Sequence, residues 1–271
     1  MKKYDRNYEM QLYKTEEEQL EAINKDPYSI KYIKNPSEEI KLAAVKREAW
    51  IIKYIKNPSE EIQLEAVKRY GYTIRCIKNP SEKVQLMAVI GNGFALQFIK
   101  NPSEEIQLAA VKQAGLAIKY IKNPSEEVQM IAVIQNASAI QYIKNPSEKV
   151  QLEAIKQYNY AIAFIKNPSE QVQLAAVTAN GGSIQFIENP TEKVQLEAIK
   201  QNGWAIQYIE NPTEETQLES VKQNGSDIVF IKNPTEKVIR TAILNGAKKE
   251  YLKHVDISEL SDETKLMTEL L

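Results

Sequence analysis

The dipeptide Asn-Pro recurs ten times between Asn35 and Asn233, and the step is always 22 residues. A period of that length marks a chain built from stacked copies of one small supersecondary unit, each too small to bury its own apolar side alone. The stretch from Tyr13 to Lys34 keeps the same frame through Leu20, Ala22, Ile23, Ile30 and Ile33 but lacks its Asn-Pro, giving an eleventh, degenerate unit. Residues 1–12 are expected to form an N-terminal cap, 13–254 a continuous array of eleven repeats, and 255–271 a C-terminal capping helix.

Positions are numbered here from each Asn. Asn35-Pro36-Ser37-Glu38 reads as a helix start, with Asn as N-cap, proline at the first helical position and the glutamate completing a capping box. Gly at position 15 (Gly71, Gly93, Gly115, Gly181, Gly203 and Gly225) reads as a left-handed residue that ends this helix. Ala49 and Ala137 depart from that pattern. A second short helix then covers about positions 16–22, as in Trp204 to Glu210, and stops where the next Asn precedes proline. Neither helix is long enough to persist alone. The apolar residues at positions 6, 8, 10 and 11 (Ile62, Leu64, Ala66 and Val67) span an arc wide enough to pack against a neighbour on each side. On the short helix, Ile at 18 and 21 and Tyr or Phe at 20 are expected to complete the core, with Cys76 as core filler. Gln at position 7, from Gln63 to Gln217, falls inside the apolar arc and is predicted to be buried and bonded to turn backbone or to the next Gln. The fold class predicted is all-α: a right-handed α-solenoid of about eleven 22-residue two-helix repeats with terminal caps.

Hydrophobic residues make up 43% and charged residues 26%, ordinary for a chain that buries a core. The net charge of −1 gives no global pull toward nucleic acid or anionic membrane. One cysteine, a charged start and the lack of a long apolar run lead to the expectation of a cytoplasmic protein with no membrane partner.

The unit resembles short α-solenoid repeats, compact relatives of HEAT and armadillo units, and its pairing of a long with a very short helix is also similar to leucine-rich-repeat variants. The phrases Ala110-Val111-Lys112-Gln113-Ala114-Gly115-Leu116-Ala117 and Ala198-Ile199-Lys200-Gln201-Asn202-Gly203-Trp204-Ala205 are similar to repeat proteins of bacteria and their viruses. The resemblance implies protein recognition, and in its narrowest form a bacterial or phage protein that binds and inhibits a host component. HEAT-like folds also include DNA-binding and base-excising members, so the resemblance leaves those alternatives open.

No catalytic or metal site is expected, and no cofactor. The lone His254 has no Ser, Cys or Asp constellation beside it, clustered Cys and His ligands for zinc are lacking, and Gly91-Asn92-Gly93 follows a helix rather than a strand. The adjacent glutamates, such as Glu60-Glu61, are explained by the field at a helix N-terminus. A DNA-modifying enzyme would need an aromatic–carboxylate pocket, for which Asp227 is the single repeat-face aspartate on offer.

Positions that vary while the core repeats are the candidates for function. The first set is an inner row on the short helices: Trp50, Tyr72, Phe94, Leu116, Tyr160 and Trp204 at position 16, with Arg75 at position 19. These residue types are favoured interface anchors, and the row is expected on a concave face and to bind a protein partner. The alternative is that these rings pack over the turns below them. The second set is an outer apolar patch at positions 9 and 12, formed by Met87, Ile90, Ile131 and Ile134, suited to self-association or to a partner helix. Lys at position 22, from Lys34 to Lys166 before Glu188 and Glu210, supports a nucleic-acid or nucleotide-binding alternative. That alternative is disfavoured by the net charge and by the glutamates that follow at positions 4 and 5.

Overall fold

The structure is a computed structural model and describes residues 15–271 apart from His254 and Ile257. The expected N-terminal cap at 1–12 and the lone histidine therefore lie outside the described residues. The chain divides after Ile143 into two compact units. The described residues contain no strand.

The first unit holds six helix pairs, from Glu16–Lys25 with Pro27–Tyr32 to Glu126–Gln135 with Ala137–Tyr142. The second holds five, from Glu148–Gln157 with Asn159–Phe164 to Glu236–Leu244 with Lys249–Leu252, followed by a last helix at Asp262–Glu269. Within each unit successive pairs stack on one another in chain order, helix on helix and short helix on short helix. The molecule is thus an all-helical tandem-repeat protein of the solenoid type.

Each long member is an α-helix of ten residues in most pairs, whereas the short member is a 3-10 helix, usually of six. The residue at position 14 makes that possible. It is extended, at φ −159° for Asn92, ends the α-helix by donating to Ala88, and starts the 3-10 turn by accepting the Phe94 N–H on its side chain. Where position 14 is Asp, Glu or Asn this local side-chain bond supports the tighter turn, and at Tyr70, Ala114 and Tyr158 the extended backbone alone starts it.

Three start and stop signals work differently from the sequence reading. The N-cap is Ser or Thr at position 3, such as Ser81, whose hydroxyl accepts the Val84 N–H. Asn lies outside the helix in left-handed backbone, at φ 54° for Asn35 and about 50° at five further repeats. Asn tolerates that region better than other side chains, and the proline after it excludes right-handed helix. Among the described residues a capping box forms only in the degenerate first unit, between Thr15 and Glu18. Glycine at position 15 serves proximity in the repeats that have it: a Cβ on Gly115 would stand 2.4 Å from the carbonyl oxygen of Ala132 in the following helix, whereas Ala49, Ala137 and Asn159 fill the place elsewhere. The glycine with left-handed φ is Gly246, at 88°, just past the helix Glu236–Leu244.

Positions 6, 10 and 11 are buried as expected, and so are 17, 18 and 21 of the 3-10 helix, as at Ile106, Ala110, Val111, Ala117 and Ile118. Position 8 is half-buried, with Leu64 and Leu86 packed onto the edge of the core. The position-20 rings are a correction. Tyr32, Tyr54, Phe98, Tyr120 and Tyr142 in the first unit, and Phe164, Phe186, Tyr208 and Phe230 in the second, are 37–47% exposed. A 3-10 helix advances three residues per turn, so 15, 18 and 21 share the buried ridge while 17 and 20 share another. On that second ridge the small residue at 17 meets the core and the ring at 20 stands at its rim.

Polar side chains tie the turns and the stacking contacts, although the position-7 Gln is half-buried, not buried, in every repeat except that of Gln195. Each Gln at position 7 donates to the proline carbonyl five residues earlier in its own turn, at 2.9 Å for Gln63 and Pro58 and 3.0 Å for Gln217 and Pro212. Glutamate at position 4 accepts from the Ser or Thr cap of the next repeat: Ser37 to Glu16 and Ser81 to Glu60 in the first unit, Ser169 to Glu148 and Thr235 to Glu214 in the second. Gln113 Oε1 accepts the Gly93 N–H of the preceding repeat at 2.6 Å. The Gln and Gly of the recurring phrase are therefore partners across a stacking contact.

Candidate binding surface

The residues singled out in the sequence fall on two surfaces. Ile90 and Ile134 are more than half exposed, but Met87 and Ile131 are half-buried, with Met87 packed on the core. The intervening repeat carries the exposed Lys112 at the place of the two isoleucines. The four residues do not form one continuous apolar patch.

The inner row stands on the 3-10 helices. Trp50, Tyr72, Phe94, Leu116 and Tyr160 are half-buried, Trp204 is 57% exposed and Arg75 is exposed. Several of these rings pack edge-on against the position-20 ring of the following repeat: Tyr72 on Phe98 at 5.8 Å, Tyr160 on Phe186 at 5.7 Å and Trp204 on Phe230 at 6.2 Å. Tyr28 and Tyr54 repeat the arrangement at 6.2 Å. Edge-to-face pairs at such separations are favourable by about 0.5–1.5 kcal/mol. The two readings of the row therefore merge: the rings do pack locally, and together with position 20 they make a ribbon of aromatic surface. The alternation of 16 and 20 was the missed signal, because Tyr and Phe at 20 read as core.

Position 19 dresses that ribbon, and it does so unequally. In the first unit the ammonium of Lys31 lies 4.1 Å from the centre of the Tyr54 ring and 4.8 Å from that of Tyr28. The Arg75 guanidinium lies 5.8 Å from Phe98, and Lys119 lies 5.5 Å from Phe94 and 5.0 Å from Tyr120. The Tyr54 hydroxyl raises the Lys53 ammonium above its ordinary range, and Lys53 and then Lys31 pull the Tyr54 phenol below its own. Where position 19 is Gln, the amide instead folds back onto the carbonyl at 16, as in Gln97 to Phe94 and Gln207 to Trp204.

Position 22 lines grooves between successive corners. In the first unit one groove of about 430 Å³ is bordered by Lys100, Tyr120 and Lys122, has Asn101, Pro102 and Gln107 along its floor, and has no carboxylate in its lining. The corresponding grooves of the second unit pair Lys166 with Glu188 and Glu210 with Lys232.

Asp227 is 1% exposed at position 17, where most other repeats carry Ala, Ser, Thr or Ile, and its carboxylate accepts from Ser220 at 3.2 Å and Asn224 at 3.1 Å. Burial pushes its carboxyl above the usual range, against the lowering effect of the Ser220 and Asn224 bonds. It faces the core rather than an aromatic pocket. The described residues hold no cluster of His, Cys, Asp or Glu suited to a metal, and no helix among them is long and apolar enough to cross a membrane.

The chain is a helical tandem-repeat protein, and comparison with protein families, curated proteins and solved structures gave no match to any of them.

Proposed function

We propose that this chain is a non-catalytic recognition scaffold that binds an extended macromolecule along the ribbon of rings and polar groups on its 3-10 helices. One observation carries the reading: a large side chain at position 20 of nearly every repeat is left 37–47% exposed, although the core is already closed by positions 15, 17, 18 and 21. Exposed aromatic surface repeated in register is a feature of binding faces rather than of packing. The likeness to HEAT- and armadillo-type arrays, which recognise partners along one surface, supports the same reading. A protein and a nucleic acid, the two partner classes that the sequence suggests, would both use this face.

Photocrosslinking in extracts of the native host tests it. A benzoylphenylalanine at Phe98 or Phe164 is expected to give discrete adducts, and the same probe at Lys46 or Lys156 on the α-helices to give none. Equal adducts from both faces would defeat the proposal.

A further inference from the structure

The 3-10 helices and the corners that follow them, positions 16–22, are purely basic in the first unit and mixed in sign in the second. In the first unit these segments carry Lys31, Lys53, Arg75 and Lys119 at position 19, and Lys34, Lys56, Lys78, Lys100 and Lys122 at position 22. They contain no Asp or Glu. In the second unit the segments after Tyr160 carry Lys166, Lys232, Lys248, Lys249 and Lys253 against Glu188, Glu210 and Glu250, with Asp227 buried. All nine cations of the first unit are exposed, and among the described residues none of them forms an ion pair with a carboxylate. The glutamates that follow at position 4 keep their charge but turn in part to other partners. Glu16 and Glu60 are engaged with the caps of the next repeats, and the corner groove at Lys100 and Lys122 is lined without them.

Several of these cations rest over aromatic rings. At exposed sites such contacts contribute only about 0.5–1 kcal/mol, so an incoming anion can draw the ammonium groups away and leave ring faces free. The surface thus offers two things in alternation: cations for a linear polyanion and exposed rings for flat π-systems. We infer that the 3-10 face of the first unit binds single-stranded nucleic acid, its phosphates held by the cations at positions 19 and 22 and its bases stacked on the rings at positions 16 and 20. A duplex hides its base faces inside the helix and would meet only the cations. An acidic peptide likewise needs the cations and leaves the rings unexplained. A single strand uses both. The inference rests on the reading that the 3-10 helices form the binding face, and it names the class of ligand for one unit.

Fluorescence anisotropy with the full chain and a labelled 25-nucleotide oligothymidylate tests it, alongside a duplex and an oligoglutamate of equal length. The single strand is expected to bind at least about tenfold tighter than either competitor, with affinity falling steeply as salt rises. K53Q/K78Q/K119Q should lower its affinity about 100-fold at 0.1 M salt and flatten the log–log salt slope by about 2, since each lost contact to a single strand removes about 0.7. F98A/Y120A should lower it about tenfold or more, with circular dichroism confirming that the helices persist. K46Q/K68Q/K112Q removes the same charge from the α-helical face and should change affinity less than about threefold. Equal losses from the two lysine triples would show diffuse attraction and overturn the inference. So would equal or tighter binding of the duplex or of oligoglutamate. If no oligonucleotide binds while the probe at Phe98 still traps a protein, the binding face stands and the nucleic-acid inference fails. If the Phe98 probe is silent as well, both fail.

Discussion

The two units share one interior and wear different surfaces. Position 18 is Ile118 in one and Ile206 in the other, each 1% exposed, and position 10 is alanine at both Ala110 and Ala198, fully buried. Outside that core the first unit carries 21 Lys and Arg against 18 Asp and Glu, and the second 14 against 18. The difference gathers on the 3-10 face, where position 19 is Lys31, Lys53, Arg75, Gln97, Lys119 and Gln141 in the first unit but Ala163, Gln185, Gln207, Val229 and Tyr251 in the second. Stacking requires the inner positions and tolerates almost anything at 19 and 22. Charge there is free to serve a ligand, and the units have used that freedom differently.

The sharpest way to break the comparison is to show that the interiors are not equivalent. I118A and I206A should each lower stability by about 2–5 kcal/mol in urea unfolding, and costs that differ by more than the error of the two fits would mean that the repeats are not alike inside. A surface swap comes next. K100E/K122E should weaken oligothymidylate binding by at least about 25-fold at 0.1 M salt, about 2 kcal/mol, whereas E188K/E210K should strengthen it and leave the melting temperature within a few degrees. A failure of both changes to move binding would remove the meaning assigned to the charge difference.

Asp227 and Ser220 mark the place where the second unit's interior departs from its pattern, since the corresponding first-unit residues include Ala110 and Ala117. Replacing both polar groups by S220A/D227A should change stability at pH 7 by no more than about 1 kcal/mol, because removal of the buried pair is offset by the Asn224 amide and Gly203 carbonyl that lose their partners. The sign of the pH effect follows from the raised carboxyl. The folded state holds this proton more tightly than the unfolded state, so its contribution is fully present below the unfolded value and is lost as pH rises through the folded one. Melting temperatures across that interval should fall more steeply with pH in the wild type than in S220A/D227A; parallel curves would contradict the assignment. The smallest effect is expected at the end of the second unit, where Arg240 pairs with Glu263 at 2.8 Å on partly exposed side chains. R240Q should cost no more than about 1 kcal/mol, less at high salt, and a cost of several kcal/mol would show that the last helix depends on this pair.

The repeat, the two helices per unit and the inner positions 6, 10, 11, 18 and 21 were legible from spacing alone. The 3-10 character of the short helix was not, because six residues are too few to separate a period of 3.0 from one of 3.6. That ambiguity misplaced the ring at position 20, since Tyr54 and Phe98 look like core residues until the tighter turn carries them to the rim. Glycine at position 15 reads as a helix stop, but the left-handed place belongs to Asn35 and several of its equivalents, while Gly115 makes room for the Ala132 carbonyl of the next helix. No local pattern reports a distance between residues 17 positions apart. The candidate face was only half visible, because a net charge of −1 sums an excess of three cations in the first unit with an excess of four carboxylates in the second.

Lysine acetylation footprinting of the full chain, with and without saturating oligothymidylate, tests the central claim most directly. The account predicts that Lys31, Lys53, Lys78, Lys100, Lys119 and Lys122 become protected, while Lys46, Lys68, Lys112, Lys156 and Lys200 react as before. Protection spread evenly over both groups, or falling on the α-helical lysines instead, would contradict it.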